Sequence, residues 1–494
     1  MAPDLASADR TEAASERAAR SELQPISSTQ TAWAELAISR RLAILRRARH
    51  DLATRADELA TSISTQLSRT PADTIASEIL PLLEAIRFLE RRAPNILRPG
   101  RLGRSGLPFW LSGVDTEIHR VPFGKVLIIG PANFPLFLPG AQAFQALAAG
   151  NAVVWKPGLG GAPVALLVAD ALRRAGLPGD LLSITEDTIE AGQSALRAGA
   201  DKVFFTGSAS IGRALLRQLA ETTTPCVAEL SGNDAVVVLP SADLERVVAA
   251  LAFGLRLNGS ATCMAPRRIL LVDCPAPRRQ IFVEKLRSAL DRVTPITLPS
   301  TTRRLLTRLV EDAQQKGATV IGDPKSESIR PILLLGGTPA MEAAQADIFA
   351  PMLMLLQVEG TVGVLAAQAA CPLALTTSIF GDEREASSLA AKLASGTVLL
   401  NDLIVPTADP RVPFGGRRGS GFGVTRGSEG LLEMTAVKVI SSRRGRSRRH
   451  YDPTGEPHRA LFGGILTAVH AGTIGQRWSG LKRTIAAAME LKQK

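Results

Sequence analysis

Cysteine is scarce in this 494-residue chain: there are four, at positions 226, 263, 274 and 371, with no CxxC pair and no Cys/His spacing typical of a zinc site. That argues against a disulfide framework or a thiolate-held metal, and it suits a reducing cytoplasm. One tyrosine, four tryptophans and an aromatic content of 4% leave Ala, Leu, Ile and Val to build the core. Such a core suits helices packed on parallel strands. Five histidines, at 50, 119, 450, 458 and 470, belong to no motif, which disfavours a Cys–His hydrolase. The first thirty residues lack the apolar centre of a signal peptide, so residues 1–30 are expected to be a disordered lead-in. The apolar stretch near the end of the chain is too short and too interrupted to span a bilayer.

What is present is a globular chain, 45% hydrophobic and long enough for two to four domains. Its net charge of +12 owes part of its excess to the arginine run of residues 443–449. Between residues 31 and 93 apolar positions recur at helical spacing, as in Leu45, Leu52 and Leu59 and in Ile79, Leu82, Ile86 and Leu89. Residues 116–121 alternate polar and apolar as a half-exposed strand does. Short apolar runs at 126–129, 152–155, 181–184, 202–205 and 227–230 then alternate with Ala-rich helical stretches. A second block from 235 to 439 repeats the rhythm, with runs at 269–272, 318–321, 332–335, 352–357 and 398–401. The pattern predicts an α/β chain with two doubly wound parallel sheets and ligands at the carboxyl ends of the strands.

Three residues carry the chemistry. Cys263 is a thiol, Glu229 a base at the end of an apolar strand, and Asn133, within Pro131-Ala132-Asn133-Phe134-Pro135, an amide donor. Together they supply what is needed to attack a carbonyl, hold the oxyanion and activate water against a thioester. Taken alone, Cys263 would more often be a small buried hydrophobe, and a helix-capping or ion-paired carboxylate is the lesser alternative for Glu229. Burial would raise the pKa of Glu229 toward a useful value for a base. The loop Phe205-Thr206-Gly207-Ser208-Ala209-Ser210-Ile211-Gly212 ends a strand and opens a helix, where exposed N–H groups favour a pyrophosphate; its spacing is GSxxxG, not GxGxxG. Lys156, at a strand end before Pro157, is a second candidate for a ribose or phosphate contact.

The order of these motifs resembles the aldehyde dehydrogenase superfamily from about Trp33 to Val439. It adds Asp347-Ile348-Phe349-Ala350-Pro351, Pro413-Phe414-Gly415-Gly416 and Ser420-Gly421-Phe422-Gly423 to the motifs above. The resemblance implies an aldehyde substrate, NAD or NADP as cofactor and no metal. It further implies a cofactor-binding domain (residues 31–112 and 123–230), a catalytic domain (231–430) and an oligomerisation arm (113–122 and 431–442) that makes a homodimer or homotetramer. Asn133 and the Cys263 backbone N–H would hold the oxyanion. Lys156, Gly207, Ser208, Gly212, Asp347 and Phe349 would bind the cofactor.

Several positions depart from the family pattern. Asn258-Gly259-Ser260-Ala261-Thr262-Cys263 replaces Asn-x-Gly-Gln-x-Cys, and Asn233 follows Ser231-Gly232 where Gly-Gly-Lys is usual. Ala132 replaces a frequent Trp, and Asp347 a usual Glu. Leu159 stands where NAD-preferring relatives often carry Glu, which leaves NADP open. Phe134, Phe137, Thr262, Met264 and Phe422 suggest an apolar tunnel for a long-chain or aromatic aldehyde.

Residues 443–494 lie beyond the family pattern. The arginine run reads as a solvated linker, with nucleic acid disfavoured. The basic stretch carrying Leu481, Ile485 and Met489 on one face reads as an amphipathic tail for a membrane surface or a partner; the competing reading is that it packs across its own subunit or a neighbour. Its glycines argue against one continuous helix. Location is otherwise expected to be cytoplasmic. The alternative functions are a CoA-acylating aldehyde dehydrogenase, disfavoured by the presence of Glu229, and a weakly active scaffold recruited by the tail.

Overall fold

The computed structural model describes residues 28–67, 69–445, 449–451 and 453–493. The chain divides into two units, Met1–Gly100 with Ile118–Lys438, and Arg101–Glu117 with Val439–Lys494.

Of the expected lead-in, residues 1–27 lie outside the described residues, and residues 28–30 are a correction. A helix begins at Ser28 and runs to Glu35, because Gln30 is buried and donates from Nε2 to the Gly150 carbonyl at 2.8 Å. Further helices span Ile38–Thr54, Ala56–Leu67 and Leu80–Ile96. Their apolar stripe of Leu45, Leu52, Leu59, Leu82, Ile86 and Leu89 is buried in one core with strand residues Val126, Ile128 and Trp155.

A six-stranded sheet runs in the order Gly421–Phe422, Cys226–Leu230, Lys202–Gly207, Lys125–Ile129, Ala152–Lys156, Leu182–Ile184. All its pairings are parallel except that of Gly421–Phe422, which is antiparallel to Cys226–Leu230. The chain winds outward from Lys125–Ile129 in one direction and then in the other. A crevice therefore lies between the ends of Lys125–Ile129 and Lys202–Gly207, where open parallel sheets bind ligands.

A seven-stranded sheet follows, in the order Thr319–Ile321, Ile332–Leu335, Met352–Val358, Pro266–Val272, Asp234–Val238, Thr376–Phe380, Thr397–Leu400. Only its first strand is antiparallel to its neighbour. Separate apolar clusters cover its two faces, one containing Val237, Leu270 and Met354, the other Val236, Ile269 and Leu355. Burial on both faces is why these strands read as apolar runs.

A small three-stranded sheet has the order Gly100–Arg101, Val114–Pro122, Thr435–Arg443, and its residues 101, 114–117 and 439–443 belong to the second unit. Within it Thr116 Oγ1 lies 2.9 Å from Ser441 Oγ, and Arg444 N donates to Gly113 O at 2.9 Å. The second unit also contains a helical hairpin of Glu456–His470 and Ile474–Gln493. The break between the helices falls at residues 471–473, in the glycine-bearing stretch. Among the described residues no helix is long and apolar enough to cross a membrane.

Candidate active site

At the crevice of the six-stranded sheet opens a cavity of about 1500 Å³. Asn133, Lys156, Gly207, Ser208, Glu229, Cys263, Asp347 and Phe349 all line it. Gly212 does not. It sits beneath the loop, where a methyl group would come within 2.7 Å of Leu230 Cδ2, so its contribution is close packing of helix Ala209–Thr222 on the strand. That helix points its N-terminus at the cavity through Ser208, whose Oγ caps it by accepting from Ile211 N at 3.4 Å. Unpaired N–H groups at such an end favour an anionic ligand.

Cys263 is presented by a loop in which Asn258, Gly259 and Ser260 all have positive φ, of 50°, 56° and 65°. This conformation disfavours a residue with a Cβ, so two of the three need outside support. Ser260 is fully buried and clamped by Arg267, which donates from Nη1 to Ser260 Oγ and from Nη2 to Ser260 O, both at 2.7 Å. Arg267 Nη1 also reaches Ala350 O at 2.7 Å, tying the loop to the segment that carries Asp347 and Phe349. Asn258 donates from Nδ2 to Asn133 O at 2.9 Å, and Asn133 donates from Nδ2 to Ala261 O at 2.8 Å. One of the two N–H bonds of the Asn133 amide thus fixes its direction and leaves the other for a ligand. Gly232 lies so close that a methyl group there would meet Cys263 O at 2.9 Å.

The Asn133 loop is held from its other side by Glu78. This fully buried carboxylate pairs with Arg69 at 2.5 Å and accepts from Leu136 N and Phe137 N at 3.1 and 2.7 Å. Those N–H groups belong to the start of helix Phe137–Ala149, where a carboxylate is favourable. The ion pair is thereby anchored to the turn that carries Asn133.

Glu229 is buried, and burial pushes its carboxyl above the ordinary range, with Arg426 and a 3.3 Å hydrogen bond from Thr206 Oγ1 acting in opposition. Its Oε1 has no hydrogen-bond partner among the described residues. Burial also raises the Cys263 thiol, as do the charges of Glu229, Asp234 and Asp347, while Arg426 lowers it. Burial raises Asp347 against a hydrogen bond from Ser231, and lowers Lys156, whose Nζ donates to Asp187 O at 3.0 Å.

Residues 5–440 match the sequence profile of the aldehyde dehydrogenase family. The chain belongs to the aldehyde dehydrogenase family. It is 29% identical over 451 residues to the 4,4'-diapolycopene aldehyde oxidase of a Methylomonas species, covering 89% of this chain and 84% of that protein. It is 30% identical over 362 residues to a benzaldehyde dehydrogenase of Bacillus subtilis, covering 69% and 73%. A Mycobacterium tuberculosis aldehyde dehydrogenase solved with NAD+ superposes with a TM-score of 0.76 at 25% identity, over 84% of this chain and 88% of the other. Aldehyde dehydrogenases use NAD or NADP, and this one has a cavity that fits such a group: it runs from the capped helix end at Ser208 to Cys263.

Four residues of this aldehyde dehydrogenase escaped the sequence reading. Arg426 is fully buried with φ of 63°, donates from Nη1 to Thr407 O at 2.5 Å and lies over the rings of Phe414 and Phe137 at 4.7 and 5.4 Å. Arg267 and Glu78 are buried charges that a sequence pattern would place at the surface. Asn233, noted only as a departure, braces the Asp347 segment by donating to Ala343 O and Ala346 O at 3.0 and 2.6 Å, and accepts from Arg268 Nε at 3.0 Å. The expected tunnel residues also need correction. Phe134, Phe137, Thr262, Met264 and Phe422 do not line the cavity, whose apolar lining includes Phe253, Leu255, Leu257 and Ile296.

Proposed function

We propose that the protein oxidises a long-chain or aromatic aldehyde to its carboxylic acid, with Cys263 as nucleophile, Asn133 as oxyanion donor and Glu229 as general base. The observation that carries this reading is the meeting of all three side chains at one cavity. The Cys263 thiolate attacks the carbonyl carbon, a C–S bond forms, and the carbonyl electron pair moves to oxygen, where the free Asn133 N–H and the Cys263 backbone N–H receive it. NAD or NADP, when bound, accepts the hydride that leaves this carbon. Lys156, Gly207, Ser208, Asp347 and Phe349 would hold it. Glu229 then takes a proton from water, the hydroxide adds to the thioester carbon, the C–S bond breaks, and the acid departs with the thiolate restored.

Apolar residues in the cavity lining, and relatives named for a polyene aldehyde and for benzaldehyde, support the lipophilic substrate class. Within this reading residues 31–112 and 123–230 bind the cofactor and residues 231–430 carry the catalysis. The strands of residues 113–122 and 431–442 pair subunits into a cytoplasmic homodimer or homotetramer.

The test is reduced-cofactor formation by purified protein with long-chain, aromatic and small charged aldehydes, using NAD and NADP, with and without CoA. Turnover on lipophilic aldehydes without CoA, abolished in Cys263→Ala, is expected. Turnover that needs CoA would move the enzyme to the acylating class. Persistent turnover in Cys263→Ala would sink the assignment.

A further inference from the structure

The helical hairpin has its small and large residues the wrong way round for a soluble helix pair. Small residues form the seam: a methyl group on Gly464 would meet Thr484 N at 2.7 Å, and one on Gly480 would meet Ala468 N at 2.3 Å. The large apolar residues point away from it. Phe462, Leu466 and Val469 recur at spacings of four and three on Glu456–His470 and are 50%, 61% and 40% exposed. On Ile474–Gln493 the exposed series is Ile474, Trp478, Leu481, Ile485 and Met489. Small residues between helices and large apolar residues outside is the arrangement of helix pairs solvated by lipid.

Charge and aromatic usage select the kind of lipid surface. Residues 443–494 contain eleven Lys and Arg against three acidic residues, although they are a small part of the chain. In a chain with a single tyrosine and four tryptophans, that tyrosine, Tyr451, and two of the tryptophans, Trp110 and Trp478, stand exposed in this unit. Trp and Tyr favour the headgroup level, and Lys and Arg favour anionic headgroups. Neither helix is long and apolar enough to cross a bilayer, and Lys482 and Arg483 stand midway along the second. Together these features fit shallow insertion along the surface.

We infer that the hairpin Glu456–Gln493 is a monotopic anchor that docks the enzyme on an anionic bilayer surface, its outward apolar residues in the acyl boundary and its basic residues among the headgroups. A lipophilic aldehyde would then reach the enzyme from the phase that dissolves it, but the anchor stands on the hairpin alone and not on the catalytic reading.

The experiment is co-sedimentation of the full chain with vesicles of phosphatidylcholine, with and without phosphatidylglycerol, at low and high salt. Binding to the anionic vesicles should exceed binding to neutral ones by more than about tenfold and weaken with salt. Leu466→Ser with Trp478→Ser should lower that binding by about tenfold or more, while turnover of a water-soluble aldehyde stays unchanged and reports an intact fold. Blue-shifted Trp478 fluorescence on vesicle addition, lost in Trp478→Phe, is the independent readout. Absence of binding by the full chain, or binding indifferent to both substitutions, overturns the inference. So does a fall in oligomer size caused by the double variant, which would give the apolar face to a second copy of the chain.

Discussion

Arg267 holds Ser260 in a left-handed backbone conformation by bonding both its hydroxyl and its carbonyl at 2.7 Å, three residues before the nucleophile. The family pattern has glycine there, which adopts this conformation freely; serine adopts it at a penalty of roughly 1–2 kcal/mol. Arg267→Ala removes the support and leaves buried acceptors without a donor, a loss of about 3 kcal/mol or more. The expected result is a lowered melting temperature together with a fall in kcat, as the Cys263 loop loses its registration on Ala350. Adding Ser260→Gly to Arg267→Ala should recover part of the stability, because glycine needs no clamp. A double variant no more stable than the single one would mean that Arg267 does not support the left-handed backbone at Ser260.

The Cys263 thiol is raised first by burial and then by Glu229, Asp234 and Asp347, with Arg426 pulling the other way. A raised thiol pKa means less thiolate at neutral pH. In the cofactor-free enzyme, alkylation of Cys263 by iodoacetamide, followed by peptide mass mapping, should therefore climb with pH to a midpoint above the ~8.5 of an ordinary thiol. Glu229→Gln removes one raising charge and should move the midpoint down. A midpoint at or below that of a free thiol would contradict a thiol held neutral by burial and neighbouring carboxylates.

How legible this site was in the sequence depended on burial. Strands covered on both faces, such as Ile332–Leu335, announce themselves as apolar runs. Thr376–Phe380 did not, because Thr376, Thr377 and Ser378 are polar by type; inside the sheet Thr376 Oγ1 bonds Asp234 and Thr377 Oγ1 lies 2.6 Å from Ser395 Oγ. Cys263, Glu229 and Asn133 stood in recognisable motifs. Arg426, Arg267 and Glu78 did not, since a charged residue reads as surface until its partners are known. The antiparallel pair Gly421–Phe422 is too short for any periodicity, yet it lies directly beside Glu229.

Arg426 faces Glu229 electrostatically: each pulls the other toward its charged form, and both are desolvated. Removing the cation in Arg426→Met should raise the Glu229 pKa further. A base whose pKa rises stays protonated to higher pH, so the alkaline-rising limb of kcat should move up. On the acid side of the limb, activity at a fixed pH should fall about tenfold for every whole pH step the limb moves. Arg426→Lys, which keeps the charge, should move the limb less. Because Arg426 also holds the Cys263 thiol down, pre-steady-state kinetics should show the acylation burst slowed along with steady turnover. An unmoved pH profile in Arg426→Met would make this residue purely a packing element between Phe414 and Phe137.

Leu159 lines the cavity three residues after Lys156 and is 75% exposed, so it puts no charge where the adenosine ribose is expected. An apolar residue neither accepts from a 2′-hydroxyl nor repels a 2′-phosphate, and the enzyme should use NAD and NADP with comparable efficiency. Leu159→Glu introduces a carboxylate in an open, well-solvated position, where repulsion of a phosphate amounts to about 1 kcal/mol or somewhat more. The expected outcome is a rise of about fivefold to tenfold in KM for NADP, with KM for NAD unchanged or lowered by the new acceptor. With Cys263, Glu229 and Asn133 unchanged, kcat should stay constant for both cofactors. Equal changes in both KM values would mean that this position does not face the ribose and that the cofactor lies elsewhere in the cavity.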